Sequence, residues 1–119
     1  MEDKYSDTIQ KEIEVINRYL TQWDNLFSKE IKYYAEGWSV NLREKTIYPR
    51  YIVIFKEYNQ NSFSIKSFEI HNNLIGKEHY KDLYFIDNIT SLDALLGEIK
   101  NILYGKDILS SVKNEHFKT

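Results

Sequence analysis

The segment Gly-Trp-Ser-Val-Asn-Leu-Arg, residues 37–43, sets the pattern from which the fold is read. Trp38, Val40 and Leu42 alternate with polar side chains, and successive side chains of a strand point to opposite faces of a sheet. The segment therefore predicts a strand with one face buried and the other face in water. Residues 44–46 are predicted to form the turn that follows it.

A second strand is predicted over residues 48–58. Its centre, residues 51–55, is continuously apolar, which is typical of a strand covered on both faces. Pro49 has no backbone N–H to donate, so that end of the strand is expected at an edge or outside the pairing. The polar residues 59–62 then predict a hairpin loop.

The third predicted strand carries two apolar pairs that are out of phase with each other. Phe63 and Ile65 occupy one parity along the chain, whereas Phe68 and Ile70 occupy the other. A β-bulge adds one residue to a strand and shifts the facing of every side chain after it. A bulge near residues 66–67 is therefore predicted, because it would return both pairs to one face.

Residues 83–86 predict a fourth strand, and the last clear element is a helix. Thr90 or Ser91 is expected to cap it, because their hydroxyl oxygens accept from free amides of the first turn. Apolar side chains then recur at helical spacing until Gly105, a natural helix stop. They are Leu92, Leu95, Leu96, Ile99, Ile102 and Leu103. Residues 106–119 allow one more short helix before a frayed tail.

Upstream of Gly37, the apolar side chains of residues 8–36 recur three or four positions apart. This stripe consists of Ile9, Ile13, Ile16, Leu20, Trp23 and Phe27. It predicts one long helix or two nearly continuous ones, with the break at residues 23–25, where Asp24 and Asn25 compete for backbone hydrogen bonds. The stripe is expected to cover the sheet, with a homodimer through this helix as the alternative.

Together these elements predict a single α+β domain over residues 1–119. It has a long N-terminal helix, an antiparallel sheet of three to four strands, and a C-terminal helix packed on the same sheet face. A chain of 119 residues with 42% hydrophobic residues can bury one core. The sequence has no Cys, no basic and apolar leader at its start, and no apolar run of membrane-spanning length. We therefore expect a cytoplasmic location.

Catalytic motifs are missing from the sequence. It contains no Gly-rich phosphate loop, no His pair at helical spacing and no Gly-x-Ser-x-Gly turn. The enzymatic alternative, a small enzyme or ligand-binding domain, rests on His71 and His79, because imidazoles titrate near neutral pH. A metal site from these two with Asp82 and Asp87 has loose ligand spacing. We expect no catalytic residue, no metal and no cofactor.

Aromatic content is the more unusual feature. Ten Tyr, six Phe and two Trp make up 15% of the chain, and Tyr and Trp favour binding surfaces, although small cores also use them. Residues 37–81 carry seven basic and four acidic side chains, a net charge of +3. Their bases Arg43, Lys45, Arg50, Lys56 and Lys66 would suit a nucleic-acid strand. The net charge of −2 for the whole chain disfavours that alternative.

The leading functional prediction is a non-enzymatic protein-binding domain. A compact, acidic, aromatic-rich domain without catalytic motifs fits an inhibitor that covers a partner, as bacterial cytoplasmic immunity proteins neutralise toxins. A partner with a basic surface would be met by acidic side chains and anchored by tyrosines. The predicted binding residues are Asp24, Glu30, Tyr33, Tyr34, Glu36, Tyr80, Asp82, Tyr84 and Asp87. A further alternative is an oligomeric regulatory module.

Overall fold

A computed structural model describes residues 7–72, 76 and 78–105, which form two helices and one five-stranded sheet. In chain order the elements are α1 (Asp7–Leu20), a 3-10 turn (Thr21–Trp23), β1 (Phe27–Tyr33), β2 (Gly37–Glu44), β3 (Arg50–Glu57), β4 (Phe63–Asn72), β5 (Glu78–Ile89) and α2 (Leu92–Leu103). The predicted α+β class is confirmed, with five strands instead of three or four. The predictions for residues 106–119 lie outside the described residues.

The strands lie side by side in sequence order, and every neighbouring pair is antiparallel. Short connections between antiparallel neighbours produce this meander. The strand predicted from residues 37–43 is β2, and residues 83–86 lie inside the longer β5. The predicted C-terminal helix is α2, and its cap is Ser91, whose side chain accepts a hydrogen bond from the backbone N–H of Ala94.

The prediction of a long N-terminal helix is wrong for the second half of that segment. α1 ends at Leu20, and the chain changes direction at residues 23–25, where the break was predicted. The segment beyond the break is β1, in which Phe27 and Ile31 lie on the same sheet face. Four residues are two full periods of a strand and about one turn of a helix. The spacing of Phe27 and Ile31 therefore fits both structures.

Apolar side chains of both helices and of one sheet face form a single buried core. The helices contribute Ile9, Ile13, Ile16 and Leu20 from α1, and Leu95, Ile99, Ile102 and Leu103 from α2. The sheet contributes Phe27, Trp38, Val40, Leu42, Ile52, Ile54, Phe63, Ile65 and Ile89. The apolar stripe of α1 thus lies in the chain's own core, which leaves it unexposed for a coiled coil.

The register of β3 and β4 explains why the apolar pairs of β4 are out of phase. The two strands pair without interruption, so that Ile54 faces Ile65 on the core side and Tyr51 faces Phe68 on the opposite side. A register shift does occur next to the predicted bulge, between Ser67 and Phe68 in the pairing of β4 with β5, but its extra residue lies in β5. It therefore does not return the two apolar pairs of β4 to one face, and that part of the prediction is wrong. The prediction that β3 is covered on both faces is also wrong, because Tyr51 stays half-buried on the side away from the helices.

Two ion pairs with little exposure connect elements on the covered face. In the first, Arg50 Nη2 lies 3.1 Å from Glu44 Oε2, and Arg50 Nη1 donates to the carbonyl of Ile102 at 2.9 Å, near the end of α2. In the second, Lys56 Nζ of β3 lies 2.8 Å from Glu12 Oε2 of α1. A buried charge without a partner is costly, so these pairs favour one position of each helix on the sheet.

Candidate binding surface

The sheet face opposite the helices is covered by neither of them, and we call it the uncovered face. By strand register it includes Ser28, Glu30, Lys32, Ser39, Asn41, Arg43, Tyr51, Val53, Phe55, Glu57, Ser64, Lys66, Phe68, Ile70, Glu78, Tyr80, Asp82 and Phe85. Its β1 and β2 side chains are polar or charged, whereas aromatic and aliphatic side chains predominate on β3, β4 and β5. An apolar area therefore lies beside a polar one on the same face.

Three aromatic side chains form a continuous row across β3, β4 and β5. The rings of Tyr51 and Phe68, which face each other across the strands, stack with centroids 5.5 Å apart and planes at 13°. Phe68 contacts Tyr80 edge-to-face, with centroids again 5.5 Å apart. Phe85 lies on the same face, and both Tyr80 and Phe85 are 63% exposed. Rings held by their neighbours lose little side-chain entropy on binding, which suits them as anchors.

Two basic side chains lie beside this aromatic row. The guanidinium carbon of Arg43 is 5.9 Å from the ring centroid of Tyr51, and Lys66 Nζ is 5.6 Å from that of Phe68. Within the described part of the chain, neither cation forms an ion pair with a carboxylate. The cation–π contacts leave both positive charges available to an external anion.

Most carboxylates of the uncovered face lie on its outer strands, and Glu57 lies at the end of β3. Glu30 is on β1, where its Oε1 atom is 3.9 Å from Lys32 Nζ, and Asp82 is an exposed residue of β5. The uncovered face consequently carries Arg43 and Lys66 on its inner strands β2 and β4, and most of its carboxylates on its outer strands β1 and β5.

The uncovered face is large enough for one protein interface. Five strands about 4.8 Å apart and about eight residues long span about 24 by 26 Å, or about 600 Å² in projection. Each partner in a standard interface buries about 800 Å² of accessible surface, which exceeds projected area because side chains protrude. Two shallow depressions lie on this face, one of 420 Å³ beside Arg43 and Tyr51, the other of 280 Å³ beside Phe55 and Lys66.

Five of the nine predicted binding residues lie on the uncovered face or at its rim. Glu30, Tyr80 and Asp82 belong to the face by strand register. Tyr34 and Glu36 lie in the connection from β1 to β2 and line the smaller depression. Tyr34 is 44% exposed, so its ring is accessible to a partner at this rim.

The other four predicted residues lie elsewhere. Tyr33 is on the covered face, where its hydroxyl accepts a hydrogen bond from Gln10 of α1, and Tyr84 packs against the core. Asp24 precedes β1, and Asp87 is exposed near the end of β5. The five acidic side chains of the prediction are thus spread over several surfaces and do not form one patch.

The basic side chains considered for nucleic acid are likewise divided between surfaces. Arg43 and Lys66 lie on the uncovered face. Arg50 and Lys56 take part in the ion pairs of the covered face, and Lys45 Nζ donates to a backbone carbonyl at 2.9 Å. They do not follow the single basic track that a nucleic-acid strand requires.

His71 and His79 are cross-strand neighbours of β4 and β5, and neither lies in a long loop. Their ring centroids are 6.2 Å apart, and His71 Nε2 is 3.6 Å from Glu69 Oε1. This arrangement provides an exposed imidazole beside one carboxylate. Among the described residues, which include Asp82 and Asp87, no group of three or more potential ligands could hold a metal ion.

The predicted binding residues omit Tyr51, Phe68 and Phe85, three aromatic side chains of the uncovered face. The sequence did contain a signal for Phe68, since Phe68 and Ile70 have the opposite parity from the apolar pair before them. In an unbulged strand that change of parity means a change of face. It therefore indicates apolar side chains on a second surface of the sheet.

Comparison of the chain with protein-family models, curated proteins and solved structures gave no match. Neither of the two described helices is long and apolar enough to cross a membrane. The chemistry of the uncovered face is therefore the basis for inferring the function.

Proposed function

We propose that this protein is a non-enzymatic protein-binding domain that covers a surface of one partner protein with its uncovered face. The observation that carries the proposal is the aromatic row of Tyr51, Phe68 and Tyr80, which lies outside the core next to the exposed Phe85. Contiguous exposed apolar area marks interaction sites on small proteins. An aromatic row on a face without a helix is best explained by a partner that covers it.

The arrangement of side chains on this face supports a protein as the partner. Protein interfaces have an aromatic and apolar centre with a polar rim, and Tyr and Arg are enriched among the residues that dominate affinity. Here Arg43, Tyr51 and Phe68 lie on the inner strands, while Glu30 and Asp82 lie on the outer strands β1 and β5. The projected area of about 600 Å² is sufficient for one interface of standard size.

We further propose that the role is inhibition, as in a cytoplasmic inhibitor or immunity-type protein that neutralises a toxin or an enzyme. A domain with a single core and a broad face is able to obstruct an active site without any chemistry of its own. The edge carboxylates of Glu30 and Asp82 suit a partner with basic groups around its contact area.

The test compares two tyrosines that are similarly exposed on opposite sides of the protein. Tyr80 is 63% exposed on the uncovered face, and its ring contacts Phe68 edge-to-face. Tyr104 is 68% exposed beyond the end of α2, and its ring contacts Trp23 edge-to-face at 6.2 Å. Each is replaced by Ala in the tagged full chain, and proteins bound from a lysate of its own cells are quantified by mass spectrometry.

The wild type and Tyr104→Ala are expected to recover one stoichiometric partner. Tyr80→Ala is expected to bind the partner about thirtyfold more weakly and to recover correspondingly less, because truncating an aromatic anchor typically costs about 2 kcal/mol of binding free energy. Inhibition is then measured by adding the purified protein to the partner and recording the partner's activity, with Tyr80→Ala as the control. Equal recovery by the two variants, or no stoichiometric partner, would contradict the proposal.

A further inference from the structure

We infer that the centre of the uncovered face binds an extended partner segment bearing two carboxylates, one opposite Arg43 and one opposite Lys66, with an apolar side chain between them over the aromatic row. This inference rests on the proposed function, because it specifies the chemistry of the protein partner at that face. It is carried by the pairing state, position and spacing of the two cations.

The basic side chains of the sheet differ in whether a carboxylate of the protein contacts them. Arg50 and Lys56, on the covered face, each contact a carboxylate within about 3 Å, which neutralises them inside the protein. Arg43 and Lys66, on the uncovered face, contact aromatic rings and, among the described residues, no carboxylate. A partner that desolvated these two cations without supplying anions would lose several kcal/mol of binding free energy. A partner that fits must therefore bring carboxylates to both.

The strand registers give the spacing that those carboxylates require. Arg43, Tyr51 and Phe68 form one row across β2, β3 and β4, and Lys66 lies two residues before Phe68 on β4. Two strand spacings of about 4.8 Å and one two-residue step of about 6.8 Å put the Cα atoms of Arg43 and Lys66 about 12 Å apart. In an extended segment, acidic residues two to four positions apart span about 7–13 Å. Tyr51 and Val53 of β3, the strand between β2 and β4, lie between the two cations. They would take the apolar side chain together with the ring of Phe68 that stacks on Tyr51.

Nucleic acid is the competing source of anions for the same two cations. A continuous phosphate backbone that crossed this face would also approach Glu30 and Asp82, whose carboxylates repel it. A protein segment avoids this cost, because it presents acidic residues at the centre and basic or neutral residues at the edges. The charge pattern of the uncovered face therefore favours a protein.

The experiment selects peptides from a random 12-residue phage library against the immobilised full chain. Selected peptides are mapped by amide chemical-shift changes on the ¹⁵N-labelled protein, and their affinities are measured by titration calorimetry. Arg43→Glu/Lys66→Glu is the test variant. Lys11→Glu/Lys100→Glu, which reverses two exposed cations on the helices, is the control with the same change in net charge.

The expected result is a set of peptides that shift β2, β3 and β4 amides and carry Asp or Glu two to four positions apart around an apolar residue. Arg43→Glu/Lys66→Glu should bind them about tenfold more weakly or worse, because like charges then oppose each other, and the helix control should bind them normally. The circular dichroism spectrum and unfolding midpoint of each variant verify that it is folded.

Four other results are possible, and each contradicts either the two-carboxylate inference or the proposed function. Peptides that map to the uncovered face without acidic enrichment contradict the two-carboxylate inference and leave the protein-binding function standing. If no peptide maps to that face and Tyr80→Ala recovers its partner as well as Tyr104→Ala, the proposed function itself is wrong. Tighter binding of a dT12 or rU12 oligonucleotide that is lost in Arg43→Glu/Lys66→Glu would assign the cations to nucleic acid. A homodimer in sedimentation that the same variant dissociates would assign the face to a second copy.

Discussion

Replacing Arg50 by Met removes the buried cation that joins β3 to the end of β2 and to α2. The side chain of Arg50 is 6% exposed and that of Glu44 is 22% exposed, with Nη2 and Oε2 3.1 Å apart. Removing one member of a fully buried ion pair costs about 3–5 kcal/mol, because the other charge loses its partner. Glu44 keeps some contact with water and still accepts from the backbone N–H of Arg50 at 3.1 Å. We therefore expect the lower end, about 3 kcal/mol.

The assay is urea unfolding followed by tryptophan fluorescence, since Trp23 and Trp38 are both buried. A loss of about 3 kcal/mol should lower the urea concentration at the unfolding midpoint by about 1–3 M and leave the slope of the free energy of unfolding against urea concentration unchanged. In thermal unfolding the same loss should lower the melting temperature by about 10 °C. Arg43→Met is the matched control, because Arg43 is exposed on the neighbouring strand and its loss should change the free energy of unfolding by about 0.5 kcal/mol at most.

The double variant Arg50→Met/Glu44→Met separates the lost ion pair from lost packing. Replacing both members of a buried pair by apolar residues is often nearly neutral, so the double variant should be more stable than Arg50→Met. The reasoning is refuted if Arg50→Met costs less than about 1 kcal/mol, or if the double variant loses the sum of the two single losses.

Three further substitutions test other parts of the account. Gly37→Ala should lower the free energy of unfolding in urea by about 2–3 kcal/mol, because the added Cβ would lie 2.3 Å from the backbone oxygen of Lys56. Unchanged stability would mean that the two strands separate easily at this position. Ser91→Ala should lower the free energy of unfolding by about 1 kcal/mol in the same assay, because the backbone N–H of Ala94 loses its acceptor. Gly is itself tolerated at a helix N-cap, so an equal loss in Ser91→Gly would argue against capping. Phe85→Ser, on the uncovered face, should leave the free energy of unfolding within about 0.5 kcal/mol and lower partner recovery; full recovery would exclude Phe85 from the interface.

The sequence predicted those helices and strands whose local residue pattern is compatible with only one type of secondary structure. Ser91 followed by apolar residues at helical spacing identifies α2, and the alternation within residues 37–43 identifies β2. β1 was missed because Phe27 and Ile31 are four residues apart, a spacing that a helix and a strand share. What separates the two structures is pairing with β2, which is a contact between segments and not a property of either one.

The binding surface was harder to predict because it depends on which face each strand buries. The phase change at Phe68 was visible in the sequence, but a bulge in β4 and a change of face explain it equally well. Only the unbroken register with β3, where Tyr51 faces Phe68, decides between them. The roles of the basic side chains were equally hard to predict, because no sequence pattern distinguishes Arg43 from Arg50. In the structure Arg43 is exposed on the uncovered face, whereas Arg50 is paired with Glu44 beneath α2.

The most direct test of the central claim is hydroxyl-radical footprinting of side chains, with and without the partner recovered by affinity purification. The account predicts that oxidation of Tyr80 and Phe85 falls several-fold on binding, because the partner covers the uncovered face, while oxidation of Tyr104 stays unchanged on the helix side. Protection of Tyr104, with Tyr80 and Phe85 oxidised as in the free protein, would contradict the claim that this protein binds through the uncovered face of its sheet.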